Sequence, residues 1–180
     1  MTKQSGGTAT QARKQEFIAN FIQDGEFNNP AIGDSEAKPY RVIKGPENLG
    51  QWQVEGTAVL YGRKLTEEKH QALDIGSATL TQEFSAPQGR KVEITWKHSI
   101  NTDPECQGQG SQEYDVVVLD SDQKEIISRS YQPHSKSFAT APNPLWFEVR
   151  DAGSYTIQFQ GRTSKACGPL IYQVVGKAAE

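Results

Sequence analysis

Residues 78–98, ATLTQEFSAPQGRKVEITWKH, contain two runs in which apolar and polar side chains alternate. Every second residue falls on one face of its run: Ala78, Leu80, Gln82 and Phe84 in the first, and Val92, Ile94, Trp96 and His98 in the second. Successive side chains of a β-strand point to opposite sides, so this period of two predicts two antiparallel strands, each with one buried and one solvated face. The segment 86–89 between them, APQG, has the composition of a turn.

The same signals continue along the chain. Tyr155, Ile157 and Phe159 alternate with polar residues, and residues 116–119 form a continuous apolar run typical of a strand in the middle of a sheet. Further strands are predicted over six segments: 40–43, 57–61, 71–75, 124–129, 145–149 and 170–175. Only residues 65–71 have helical composition, as a short helix or a surface loop. The pattern predicts an all-β protein, an antiparallel β-sandwich of the jelly-roll type.

Composition and charge exclude several classes of protein. Of 180 residues, 35% are hydrophobic and 23% charged, with 16 glycines and 9 prolines. These values exclude collagen, a long coiled coil and a wholly disordered chain. No apolar stretch approaches the roughly 18 residues of a membrane-spanning helix. The net charge of −3 argues against a nucleic-acid partner, because such partners normally meet a basic surface.

The first residues differ in composition from the rest. We predict a flexible polar leader over residues 1–16 and a single β-sandwich domain over residues 17–180, because no linker divides the remainder. The leader lacks the apolar segment of a signal peptide. The protein is therefore either not exported by that route or a mature form with a new start.

The two cysteines, Cys106 and Cys167, do not form a CxxC pair, which excludes zinc and thioredoxin-like sites. They are either one disulfide in an oxidising compartment or two unrelated buried thiols.

No motif for catalysis is present. The sequence lacks a GxSxG elbow, a P-loop, an HExxH helix and a GxGxxG loop, and its three histidines are far apart. Two carboxylate pairs could support glycoside hydrolysis, but both occur in turn-like segments where solvation accounts for them: Asp103 with Glu105, and Asp120 with Asp122. We therefore predict no catalytic residues and no enzyme activity.

Aromatic residues give the strongest indication of binding. Trp52 and Trp96 are predicted in the core, whereas Trp146 adjoins Phe147, so one of this pair must point out of the sheet. An exposed aromatic ring can stack on a sugar while polar neighbours bind its hydroxyl groups. For carbohydrate binding we predict that Tyr61 and Trp146 stack on the sugar. Hydrogen bonds to its hydroxyl groups are predicted for Arg63, His98 and Asn101. For His98, a partly buried position at the end of its strand is the alternative.

Several segments also follow a known family pattern. NFIQDGEFN at 20–28 resembles an N-L-x-x-N-G-x-F-E opening, and LGQWQV at 49–54 resembles L-x-x-W-x-V. QALDI at 71–75 with ATLTQEF at 78–84 resembles A-V-x-L … G-x-I-x-Q-x-F, and CQG at 106–108 with ACGPLI at 166–171 resembles paired cysteine segments. Over residues 20–175 the chain resembles the secreted galactose-binding-like domains of plant cell-wall and bacterial extracellular proteins, a family first classified as a domain of unknown function.

The resemblance implies a jelly-roll sandwich of carbohydrate-binding-module character, an extracellular location and a Cys106–Cys167 disulfide. Oxygen ligands for a structural calcium exist at 24–26, 34–36 and 120–122. However, Asn28 stands where the family has Glu, and Tyr172 where it usually has Asp, near the usual calcium site. We therefore expect no cofactor and no metal.

These observations leave three functions in order of preference. The first is a non-catalytic carbohydrate-binding module that recognises a glycan or cell-wall polysaccharide. The second is a protein-recognition domain of a secreted toxin or adhesion system. The third is a polysaccharide lyase or hydrolase.

Overall fold

The computed structural model describes residues 20–66, 68–106, 112–163 and 167–179; the predicted leader lies outside them. These residues form thirteen β-strands: β1 Tyr40–Lys44, β2 Glu47–Leu49, β3 Trp52–Glu55, β4 Thr57–Tyr61, β5 Ala72–Asp74, β6 Thr79–Ser85, β7 Lys91–Ser99, β8 Tyr114–Leu119, β9 Glu125–Tyr131, β10 Ala139–Thr140, β11 Leu145–Glu148, β12 Ser154–Gly161 and β13 Leu170–Ala179. A single 3-10 turn, Pro104–Cys106, completes the regular structure of the described chain, where no helix is long and apolar enough to cross a membrane.

The strands form two antiparallel sheets. The seven-stranded sheet has the order β1-β4-β5-β13-β7-β10, with β11 also paired to β7, and the six-stranded sheet has the order β2-β3-β6-β12-β8-β9. Neighbours in space are often distant in sequence, because the chain crosses repeatedly from one sheet to the other. The architecture is the predicted all-β, antiparallel jelly-roll β-sandwich.

The alternating residues of the sequence form the core between the sheets. All the members of the predicted inner faces of β6, β7 and β12 are buried. At the centre, the ring of Phe159 lies 5.2 Å from that of Trp96 and 6.1 Å from that of Trp52, both edge to face. Trp52 and Trp96 are core residues, as predicted.

The structure contains short strands that the sequence pattern did not predict, β10 among them. Strands β2 and β3 form a short hairpin that the alternation did not reveal, with Gly50 in the left-handed conformation at its turn (φ 59°). For residues 65–71 the sequence left a short helix or a surface loop open; residues 65, 66 and 68–71 contain no helix, in agreement with the second alternative. The hydroxyl of Thr66 donates to the carbonyl of His70 and accepts from its amide, which replaces helical backbone bonds with side-chain bonds.

A disulfide joins Cys106 to Cys167 across a sequence separation of 61. It connects the turn after β7 to the segment before β13, and no free cysteine remains. The link therefore fastens together two connections at the same end of the sandwich.

Replacing both cysteines, Cys106→Ser with Cys167→Ser, should lower the free energy of unfolding by roughly 4 kcal/mol, since the closed loop no longer restricts the unfolded chain. Denaturant unfolding of the oxidised protein and the double variant measures the difference. The wild type kept in reductant should match the double variant. Coincident unfolding midpoints for oxidised protein and variant would contradict the prediction.

Candidate functional site

A small pocket lies at the end of the sandwich where β4 and β7 finish. Asn101 follows β7, and its Nδ2 donates to the hydroxyl of Tyr61 at 3.3 Å and to Oδ2 of Asp74 at 3.0 Å. The Tyr61 hydroxyl in turn donates to Oδ2 of Asp103 at 3.4 Å. This end pocket has a volume of about 210 Å³, and Leu65, Thr102, Pro104 and Leu170 complete its wall. The structure thus brings together Tyr61 and Asn101, two of the predicted binding residues.

Asp74 supports the pocket from beneath. It is fully buried, and its Oδ1 accepts hydrogen bonds from the amides of Gly76 and Gly168, both at 2.8 Å. Loss of hydration on burial raises the pKa of Asp74 to about 7, although these donors and the amide of Asn101 oppose the shift. The sequence pattern did not indicate Asp74 or Asp103 as pocket residues, although an acidic residue inside the apolar strand predicted over 71–75 was a usable signal.

Asp74 should make stability depend on pH. Its folded-state pKa of about 7 exceeds the unfolded value of about 3.9, so the native state retains a proton that the unfolded state has lost. The contribution of Asp74 to the free energy of unfolding should therefore be highest below about pH 4 and should decrease as pH rises toward 7. Chemical denaturation across this range measures the slope.

The variant Asp74→Asn should lose that slope, because its amide does not titrate. Asp122→Asn, at an exposed turn position, is the matched control and should keep it. A wild-type stability that rises between pH 4 and 7 relative to Asp74→Asn would contradict the assignment.

Arg63 lies on the turn that brings Leu65 to the end pocket. Its guanidinium binds the carboxylate of Asp34 through two nitrogens, and the Lys64 ammonium donates to the Asp34 carbonyl. Hydrogen bonding from Arg63 lowers the pKa of Asp34. Both side chains of the ion pair are exposed, so Arg63 reaches solvent with its charge compensated.

His98 lies in the core rather than at the surface. Its Nδ1 is 2.5 Å from the hydroxyl of Tyr114, which also accepts from Nε1 of Trp96 at 2.8 Å. Burial lowers the pKa of His98 to about 4, with a smaller contribution from His134. A neutral imidazole accepting the Tyr114 proton agrees with this shift. The geometry matches the alternative interpretation of His98 and separates it from the other predicted residues.

Trp146 lies far from the end pocket, beside a groove at the edge of the sandwich. In β11 it pairs with Glu93, on the outer face of the seven-stranded sheet, while Phe147 is buried. One of these adjacent aromatics points outward, as the sequence predicted, and 43% of Trp146 is exposed. The edge groove, of about 600 Å³, extends across to Ile126 in β9 of the other sheet.

The carboxylates considered as calcium ligands have other partners. Asp24 accepts from the amide of Gln51, Asp34 binds Arg63, and Asp120 accepts from the amides of Asp122 and Lys124. Within the described ranges, no group of three or more His, Cys, Asp or Glu side chains could hold a metal ion.

The two antiparallel sheets define an all-β jelly-roll sandwich domain. The chain belongs to the DUF642 family, described as a protein of unknown function, whose sequence pattern matches residues 20–177. A comparison with curated proteins finds no match.

Solved structures share the fold at low sequence identity. A cyclase from Fischerella sp. TAU is 15% identical, with a TM-score of 0.64 over 90% of this chain and 98% of that chain. An arabinose-bound α-L-arabinofuranosidase is 9% identical, with a TM-score of 0.51 over 90% of this chain and 27% of that chain. A family 61 carbohydrate-binding module with bound β-1,4-galactotriose has a TM-score of 0.47 at 15% identity over 89% and 99% of the two chains, too distant to carry an argument. The cyclase and the arabinofuranosidase show the fold alone, and a fold does not determine whether its members catalyse or bind.

Proposed function

We propose that this protein is a non-catalytic carbohydrate-binding module that recognises a glycan or cell-wall polysaccharide in an extracellular setting. The observation that carries the proposal is the exposed ring of Trp146 beside the edge groove. Exposed tryptophans on soluble proteins are uncommon, and a ring next to a concave polar surface is the arrangement that stacks on a pyranose.

The edge groove supplies the other groups that a sugar requires. Ile126, which is 38% exposed, extends the apolar surface beyond Trp146. Lys91, Glu148 and Arg150 also line the groove and supply both donors and acceptors for hydroxyl groups. The groove is open along the sandwich edge, which suits an internal unit of a long glycan as well as its end.

The end pocket serves as a second, smaller position in this proposal. The protons of the Tyr61 hydroxyl and the Asn101 amide are already donated inside the pocket. Their oxygens would accept from sugar hydroxyls, with Arg63 on the adjoining turn. His98 would act through Tyr114 by keeping the strand end in place. The disulfide supports an extracellular location, because such bonds persist in oxidising compartments.

Trp146→Ala should weaken binding of the recognised glycan by at least about tenfold, the loss expected from removing a stacked aromatic ring and its buried area. A glycan array, followed by titration calorimetry with the retained oligosaccharide, provides the measurement. Trp146→Phe should keep part of the affinity.

Val42→Ala is the matched control, since Val42 is an apolar side chain of similar exposure, 45%, outside both the edge groove and the end pocket. It should bind as the wild type does. Absence of retention on the array and on cellulose or pectin, or unchanged affinity in Trp146→Ala, would reject the edge groove as a glycan site.

A second candidate, a protein-recognition domain of a secreted toxin or adhesion system, is favoured by strand β1. This strand forms one edge of the seven-stranded sheet, and Tyr40 and Val42 expose 39% and 45% of their surfaces there. Edge strands with exposed apolar side chains can accept a strand from a partner. Free sugars should compete with the first function and leave this one intact.

A further inference from the structure

The outer face of the six-stranded sheet presents a straight row of side chains, one from every strand. In the pairing registers, each of these residues lies directly opposite the next one across the sheet: Asn48 of β2, Gln53 of β3, Thr81 of β6, Gln158 of β12, Val117 of β8 and Ser128 of β9. Five of the six have an amide or a hydroxyl group. We call this set the cross-strand row.

The polar groups of the row are available to a ligand. Asn48, Gln53 and Ser128 are exposed, and Thr81 and Gln158 are half-buried. Within the described chain, the one hydrogen bond to a side chain of the row is donated by Gln160 to Oε1 of Gln158, at 3.0 Å. Each amide therefore keeps donor capacity, and those of Asn48 and Gln53 keep acceptors as well.

A concave surface lies over the middle of the row. The groove has a volume of about 830 Å³ and contains Gln53, Thr81 and Gln158, with Gln51 and Gln123 at its margins. Its volume is in the range of ligand-binding clefts. With Gln23 and Gln82, six glutamines line the groove, and Glu83 is also in its wall. The glutamine amides are neutral groups that donate and accept at once, as sugar hydroxyls do.

The spacing of the row favours an extended ligand. Adjacent strands are about 4.8 Å apart, so the six strands span roughly 24 Å. Five of them present hydrogen-bonding side chains, whereas Val117 of β8 has none and is buried. An extended chain of β-linked pyranose sugars advances by a similar length per sugar. Such a chain crossing the strands would meet one side chain of the row with each successive unit.

The charges beside the row select against acidic ligands. The row itself has no ionisable side chain, and carboxylates lie on both sides of it: Glu55 on one side, and Glu83 and Glu125 on the other. Asp115, also adjacent, is paired with Arg162 at 2.8 Å. A polyuronate would place like charges together, whereas a neutral glycan would not.

We propose that the cross-strand row is a binding surface for a neutral, extended, β-linked polysaccharide, separate from the edge groove of Trp146. The proposal extends glycan binding to a second face of the protein. Hydrogen bonds from several strands hold the chain, and no ring of the row stacks on it. Affinity therefore depends on the number of sugars that meet the row at once.

The test is titration calorimetry with β-1,4-linked glucose and xylose oligomers of two, four and six units. Affinity for at least one series should increase with length, because each added sugar meets a further strand. The double variant Gln53→Ala with Gln158→Ala should weaken binding of the hexamer by about tenfold, from two lost hydrogen bonds. Thr81→Val, which keeps the shape but removes the hydroxyl, should weaken it less.

Gln132→Ala is the matched control and should not alter affinity. Gln132 is an exposed glutamine in the loop that follows β9, outside the row. Trp146→Ala separates the two surfaces: if it alone abolishes hexamer binding and the row variants bind normally, the row is rejected while the edge groove stands. Equal or tighter binding of a galacturonic acid hexamer would reject the neutral ligand. The proposal would also be overturned if no neutral hexamer bound. The same holds if the protein retained only a protein partner.

Discussion

The structure depends on two tryptophans that share one phenylalanine between the sheets. Trp96 comes from the seven-stranded sheet, whereas Trp52 and Phe159 come from the six-stranded one, and all three are at most 1% exposed. Burying an indole N–H without an acceptor costs about 1–3 kcal/mol. The carbonyl of Asp24 accepts from Trp52, and the Tyr114 hydroxyl accepts from Trp96. The packing of the core therefore also determines where the first loop and β8 lie.

This requirement explains why the surfaces proposed for glycan binding are all external. The inner faces of both sheets are filled by the aromatic core. His98 belongs to this core: the Tyr114 hydroxyl accepts from Trp96 and donates its own proton to His98. Binding chemistry is then confined to the outer faces, the sandwich edge and the strand ends. The edge groove, the cross-strand row and the end pocket occupy one such location each, which allows a ligand at one surface without disturbing the core.

The sequence predicted the positions of the strands better than the pairing between them. Period-two alternation located β6, β7 and β12 and their buried faces, because side-chain direction in a strand is a local property. It did not reveal the β2–β3 hairpin, whose strands are too short to establish a period. The presence of Phe147 beside Trp146 indicated that one ring is exposed, but the pairing of Trp146 with Glu93 was needed to decide which. The cross-strand row could not be predicted from the sequence, since its six residues are aligned only by pairing between strands, several of them distant in sequence.

The disulfide is connected to the end pocket through a chain of hydrogen bonds. The disulfide holds Cys167, the adjacent Gly168 amide binds Asp74, and Asp74 accepts from the Asn101 amide that contacts Tyr61. Asp103 lies one residue before the turn that contains Cys106. Both walls of the pocket are thus fastened by the same bond. An unlinked chain would leave the buried Asp74 with fewer donors in a site where its charge is already costly. The geometry of this pocket therefore belongs to the oxidised protein.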